Sequence, residues 1–272
     1  MTFFADLAAR IEATDSVVSV GLDPDPDRLP DFLDADLPRW AFNRRIIDAT
    51  HEHAACYKPN AAFYEDPDGW RALRETVAYA HGKGVPVLLD AKRGDIGNTA
   101  RRYATVLDDV DATTVNPYLG EDALRPFLDR EGGVFVLART SNPGARDFQN
   151  LEVGNGKRLY EYVAQRATEW DEGNLGLVVG ATAPEELEAV RDLAPDLPFL
   201  VPGVGAQGGD AEAAVEHGLA TEHSAAGETG VGLVNSSRGI IFAGEGSDEK
   251  DAYFAAAGQA AKRLKSRLNE YR

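Results

Sequence analysis

The segment Asp90-Ala-Lys92-Arg-Gly-Asp95 brings a carboxylate, an ammonium and a second carboxylate together in one short stretch. It follows directly on an apolar run, Val85-Pro-Val-Leu-Leu89, that has the length and composition of a buried strand. Charged groups at the mouth of a buried strand are costly unless they pair. Carboxylates held close together raise each other's ionisation cost, and a lysine set between them becomes a proton donor of tuned pKa. The chemistry expected of Asp90, Lys92 and Asp95 is proton transfer at a catalytic centre.

A second group points to an anion. Pro202-Gly-Val-Gly-Ala-Gln-Gly-Gly209 lies between an expected strand and a helix that should begin near Asp210. Glycines let backbone N–H groups approach an anion closely, and a helix N-terminus adds a favourable dipole. Gly203, Gly205 and Gly208 also satisfy the spacing G-x-G-x-x-G. That fingerprint normally opens a dinucleotide-binding domain at its first strand, whereas this one comes late in the chain. Ser236-Ser-Arg238-Gly239 follows the last expected strand. An arginine there would grip a phosphate through two parallel hydrogen bonds. The expected ligand is a phosphorylated small molecule.

The elements that must position these groups alternate from end to end. Apolar runs predict strands at Val17–Leu22, Ala55–Tyr57, Val85–Leu89, Ala112–Val115, Val134–Ala138, Leu175–Val179, Phe199–Val201 and Gly232–Val234. Amphipathic stretches predict helices at Ala41–Glu52, Gly69–Lys83, Ile96–Leu107, Asp122–Asp129, Lys157–Trp170, Pro184–Leu193, Asp210–His217 and Lys250–Leu268, with a further one, Phe3–Glu12, ahead of the first strand. Such alternation implies an α/β fold with a parallel sheet, and eight units in 272 residues fit one (β/α)8 TIM barrel domain spanning 1–272. Asp23–Pro38 and Leu219–Gly230 lack periodicity and are expected to be loop insertions. In a barrel the strand ends converge on one face. That would gather Asp23, Lys58, Asn60, Asp90, Lys92, Asp95, Asn116, Arg139, Thr140, Ser141, Asn142, Thr182, the 203–209 loop, Asn235, Ser236, Ser237 and Arg238 at one mouth.

Composition narrows the partners. The net charge of -17 repels nucleic acid and anionic membranes, so neither is expected as a partner. The chain has only seven lysines, and acid excess with scarce lysine fits a cytoplasm of very high salt. The single cysteine, Cys56, leaves no internal disulfide and fits a reducing, cytoplasmic setting. No apolar run approaches membrane-spanning length and no segment resembles a signal peptide. His51-Glu-His53 has the wrong spacing for two ligands on one helix face, and no cluster has metal-ligand spacing.

In order along the chain, Val-Gly-Leu-Asp23, Tyr-Lys58-Pro-Asn60, Asp90-Ala-Lys92-Arg-Gly-Asp95-Ile96, Val-Asn-Pro-Tyr118, Arg-Thr-Ser141-Asn-Pro143, the Pro202–Gly209 loop and Ser237-Arg238-Gly239 resemble the motifs of the orotidine 5′-phosphate decarboxylase family, in its longer bacterial and archaeal subgroup. The resemblance covers essentially the whole chain. It implies conversion of orotidine 5′-monophosphate to uridine 5′-monophosphate and CO2 in pyrimidine synthesis, without cofactor or metal, by a homodimer with shared sites. It makes Lys92 the proton donor to C6 and Asp90 the neighbour of the substrate carboxylate. It has Asp95, Ile96 and Thr99 donated to the partner's site. Asp23 and Lys58 would bind the ribose or join the charge network, and Ser141 would touch the pyrimidine. Gln207 and Arg238, with the backbone near Pro202 and Gly208, would hold the phosphate. A magnesium-dependent sugar-phosphate decarboxylase or epimerase on the same barrel, a Schiff-base aldolase and a non-catalytic phosphate binder are the competing expectations. The last has no use for Asp90, Lys92 and Asp95.

Overall fold

The computed structural model describes residues 2–33, 36–204, 208–220 and 230–272, with Asn155 by its backbone alone. Eight parallel strands form the barrel: β1 Val18–Leu22, β2 Cys56–Pro59, β3 Leu88–Arg93, β4 Ala112–Val115, β5 Gly133–Arg139, β8 Leu175–Val179, β9 Phe199–Pro202 and β10 Leu233–Ser236. The short pair β6 Glu152–Val153 and β7 Lys157–Arg158 makes a separate antiparallel hairpin. The ladder order is β2-β1-β10-β9-β8-β5-β4-β3. Parallel bridges Tyr57↔Val87 and Asn60↔Asp90 join its two ends. The ring is therefore nearly closed, as the strand-helix alternation predicts.

The strands are buried because both faces are covered, the barrel interior on one side and helices on the other. The helices are α1 Phe3–Thr14, α2 Pro38–Thr50, α3 Pro67–Gly82, α4 Gly97–Ala104, α5 Glu121–Leu128, α6 Leu159–Trp170, α7 Pro184–Leu193, α8 Ala211–Glu216, α9 Arg238–Ile241 and α10 Lys250–Asn269. Proline opens α2, α3 and α7, where its missing N–H would have had no partner in any case. α1 lies across the strand starts. Its Phe3 and Phe4 meet Phe135 of β5 edge-on, and Arg10 donates to the carbonyls of His51 and Ala54 just ahead of β2. That end of the barrel is thereby plugged with aromatic and aliphatic side chains. The opposite end stays open.

Several boundaries move from the sequence expectation. β2, β3 and β10 run past the apolar residues and take in Lys58, Asp90, Lys92, Asn235 and Ser236. These side chains belong to the strands themselves, because backbone pairing does not stop where hydrophobicity does. The expected Asp23–Pro38 insertion contains a short 3-10 turn, Pro26–Arg28, and its last residue already starts α2. The expected helix Lys157–Trp170 begins two residues later, since Lys157 and Arg158 pair with Glu152 and Val153. The expected insertion Leu219–Gly230 lies almost wholly outside the described residues.

Candidate active site

The polar strand ends surround a cavity of about 440 Å³ at the open mouth. Asp23, Lys58, Asp90 and Lys92 line one side. Ser141 and its neighbours Thr140 and Asn142 line another, and Pro202, Gly203, Val204, Ser237 and Arg238 a third. Leu137, Val178 and Leu200 form an apolar floor. The volume falls within the ordinary range for a small-molecule site, and the mix of apolar floor and convergent polar groups is the usual lining of one.

Asp90 is the hub. Lys58 Nζ donates to its Oδ2 at 3.1 Å, and Lys92 Nζ donates to its Oδ1 at 2.6 Å. The Thr114 hydroxyl donates to the same Oδ1 at 2.8 Å. Burial alone would push the Asp90 carboxyl upward. The charges of Lys58 and Lys92 and the hydrogen bonds from Lys92 and Thr114 outweigh it and hold the group well below the usual carboxylate range. For Lys58, burial is the largest influence and lowers its pKa. The charge of Asp90, then that of Asp23, then the Asp90 hydrogen bond more than reverse it, so Lys58 stays above the ordinary lysine value. Lys58 is almost fully enclosed, whereas nearly half of the Lys92 side chain is exposed, and Lys92 lines the cavity. Asp23 Oδ1 is buried and finds no hydrogen-bond partner among the described residues. An acceptor of that kind, on the cavity wall, is suited to a ligand hydroxyl.

The backbone around this hub is irregular. Lys92 has φ +50, in the left-handed region that few side chains adopt. The β3–β4 register slips between Leu89 and Arg93, which is a bulge in β3.

The anion side is built from close backbone approaches. Gly21 packs so tightly on Ser237 that a Cβ would stand 2.6 Å from the serine Cβ. The Gly209 N–H donates to the Gly203 carbonyl at 3.0 Å, and a Cβ at Gly209 would stand 2.7 Å from that oxygen. Gly203 and Gly208 have positive φ, so both ends of the loop need glycine. Asp210 caps α8 by accepting from the N–H groups of Glu212 and Ala213. Gln207, expected on the phosphate, lies outside the described residues, and Gly208 does not line the cavity.

Asp95, Ile96 and Thr99 do not line this chain's cavity either. The Asp95 carboxylate accepts from the Ile96 N–H at 2.8 Å, and the Ile96 side chain is 59% exposed. Asn116 and Thr182, gathered with the strand ends by the sequence reading, also stand outside the cavity lining. Thr114 was not singled out from the sequence at all. The available signal was two adjacent threonines in a strand, Ala112-Thr-Thr-Val115, whose complete burial demands partners for both hydroxyls.

A protein-family model described as "Orotidine 5'-phosphate decarboxylase / HUMPS family" matches residues 16–253. The chain belongs to this family. It is 76% identical over 278 aligned positions to the orotidine 5′-phosphate decarboxylase of Natronomonas pharaonis, and 70% identical over 277 positions to that of Halobacterium salinarum, with full coverage of both chains in each pair. Among solved structures it resembles the OMP decarboxylase of Leishmania donovani, at TM-score 0.82 and 41% identity over 100% of this chain and 99% of that one. The protein is thus an enzyme of the carbon–carbon lyase class. Its acidic composition matches relatives drawn from halophilic archaea. No described helix is long and apolar enough to cross a membrane.

Proposed function

We propose that this chain converts orotidine 5′-monophosphate to uridine 5′-monophosphate and CO2, as a step of pyrimidine synthesis. The observation that carries the reading is Asp90 held between Lys58 and Lys92 on the same cavity wall system as Gly203, Ser237 and Arg238. Breaking the C6–carboxylate bond leaves an electron pair on C6 with little resonance help. An ammonium fixed beside that carbon stabilises the developing charge and then transfers its proton to C6. Lys92 takes this role, since its Nζ is anchored on Asp90 and its side chain lines the cavity and is nearly half exposed. Solvent then reprotonates the lysine. Asp90, ionised throughout, faces the substrate carboxylate and gains nothing from the ground state. That repulsion is relieved as CO2 departs.

Asp23 offers its unpartnered Oδ1 to a ribose hydroxyl, Lys58 joins the charge network on Asp90, Ser141 contacts the pyrimidine, and Arg238 with the loop from Pro202 through Gln207 and Gly208 holds the phosphate. The phosphate grip lies away from C6, so its binding energy organises the site as well as raising affinity. Asp95, Ile96 and Thr99 complete the site of a second copy in a homodimer. This is supported by their absence from their own cavity and by the exposed apolar side chain of Ile96, at 59%. The reaction as read needs neither metal nor organic cofactor. A cytoplasmic setting agrees with the free, buried thiol of Cys56.

A spectrophotometric assay with orotidine 5′-monophosphate in concentrated KCl, with and without EDTA, tests this. Turnover that survives the chelator is expected. Lys92→Ala should abolish turnover while retaining affinity for uridine 5′-monophosphate. Near-normal activity in that variant would refute the proton-donor assignment, and activity lost to EDTA would favour the magnesium-dependent alternative.

A further inference from the structure

Thr114 sits wholly buried in β4 at the point where the β3–β4 ladder breaks. Leu89 is still in register with Thr113, and pairing resumes only at Arg93 with Val115. Three residues of β3, Asp90 to Lys92, therefore stand opposite the single residue Thr114. The Lys92 N–H donates to the Thr114 hydroxyl oxygen at 2.8 Å. A backbone N–H can only donate, so the hydroxyl must use its own proton elsewhere. It gives that proton to Asp90 Oδ1 at 2.8 Å, the same oxygen that accepts from Lys92 Nζ. One side chain thus holds both ends of the Lys92 residue: its backbone directly, and its ammonium by way of Asp90. The neighbouring Thr113 behaves differently, since its hydroxyl donates to the Leu89 carbonyl at 3.0 Å and touches neither charged group.

We propose that Thr114 is a positioning residue for the proton donor: its hydroxyl fixes the left-handed backbone of Lys92 and the carboxylate of Asp90 in one mutual geometry. A left-handed residue that is not glycine is strained and persists only where its surroundings over-determine it. The Thr114 hydroxyl supplies that constraint, replacing the ladder bond that the bulge removes. Without it the Lys92 N–H has lost its acceptor, φ can relax, and the ammonium can leave the position facing C6. The inference rests on the decarboxylase reading, in which Lys92 protonates the substrate.

The test compares the wild type with T114V, T114S and T113V by kcat and KM for orotidine 5′-monophosphate, by affinity for uridine 5′-monophosphate, and by thermal melting. T114V keeps the shape and removes the hydroxyl. It should lose about 10- to 100-fold in kcat, the rate equivalent of one hydrogen bond to a charged group, with nucleotide affinity changed by no more than about threefold. T114S should recover kcat to within about threefold of the wild type, and T113V should melt lower while turning over normally. Should T114V not fold, T114A is judged by the same criteria. An equal kcat in T114V and wild type would overturn the inference. So would T114S falling as far as T114V, or a kcat loss matched by an equal loss of nucleotide affinity. An inactive wild type would overturn the substrate reading and this inference with it, whereas an active wild type with an equally active T114V overturns this inference alone.

Discussion

Replacing Asp90 by asparagine keeps the size of the side chain and removes its charge, and the consequence can be worked from the distances. Lys58 Nζ lies 3.1 Å from Asp90 Oδ2. At an effective dielectric of about 20 the attraction between them is ~5 kcal/mol before desolvation is subtracted. Removing one partner of a buried pair typically costs ~3–5 kcal/mol, because the other charge is left uncompensated. The lower end applies here. Asp23 still faces Lys58, and the Lys92 ammonium can turn to water. A loss of ~3 kcal/mol in a chain of this size lowers the melting temperature by roughly 6–12 °C.

The pH dependence follows with a definite sign. In the wild type the folded pKa of Lys58 is raised, so its contribution is complete below the unfolded lysine value and fades only as pH climbs through the folded one. In D90N the charge of Asp90 is gone, although the asparagine oxygen can still accept from Lys58 Nζ. Burial, the largest influence on Lys58 and one that lowers its pKa, is then opposed by less negative charge, so the folded pKa of Lys58 falls relative to the wild type. The folded variant therefore holds this proton less tightly than the folded wild type, and its stability deficit shrinks as pH rises through the lysine range. Melting curves of D90N and wild type in concentrated KCl, between about pH 7 and pH 10, should show a deficit that narrows with pH. A D90N that melts within a degree or so of the wild type at neutral pH, or a deficit that widens with pH, would refute the mutual dependence of this network.

Two further predictions bear on the other parts of the site. R238A should raise KM far more for orotidine 5′-monophosphate than it weakens binding of the bare nucleoside, by about 2 kcal/mol or more if the contact is bidentate, and equal effects on the two ligands would undo the phosphate assignment. Mixing the inactive D90A and D95A homodimers should restore part of the activity, because one of the two sites in a mixed dimer carries both native residues. Absence of recovery where subunit exchange is demonstrated by native mass spectrometry would count against shared sites.

The barrel was legible because the apolar runs of its strands are almost wholly buried, so each stands out against the amphipathic helices around it. The charged cluster was legible for the converse reason. Asp90, Lys58 and Lys92 are the wrong residues for a strand unless they meet, and in the fold they do, at 2.6 and 3.1 Å. What pattern could not give is the backbone that makes them meet. Nothing in Asp90-Ala-Lys92 announces a bulge, because the residue held at φ +50 is a lysine and not a glycine. The partner that stabilises the bulge is on a different strand, where threonine is simply a good β-former. Asn150 and Gln149 illustrate the same limit behind Ser141. Gln149 accepts from the Thr140 N–H at 2.9 Å and donates to its hydroxyl at 2.9 Å, while Asn150 donates to Glu186, which also receives the buried Arg139 guanidinium at 2.6 Å. Gln149 and Asn150 come from the segment between β5 and α6, where the polar sequence signals only a loop. In both places the reacting or lining residue could be picked out by its type. The residue that fixes its geometry could not, since a hydroxyl or an amide becomes informative only when the fold shows which donor it must satisfy. The sequence of a site of this kind therefore discloses its charges before its constraints, and the constraints are what separate a pair of lysines near an aspartate from a proton donor held in place.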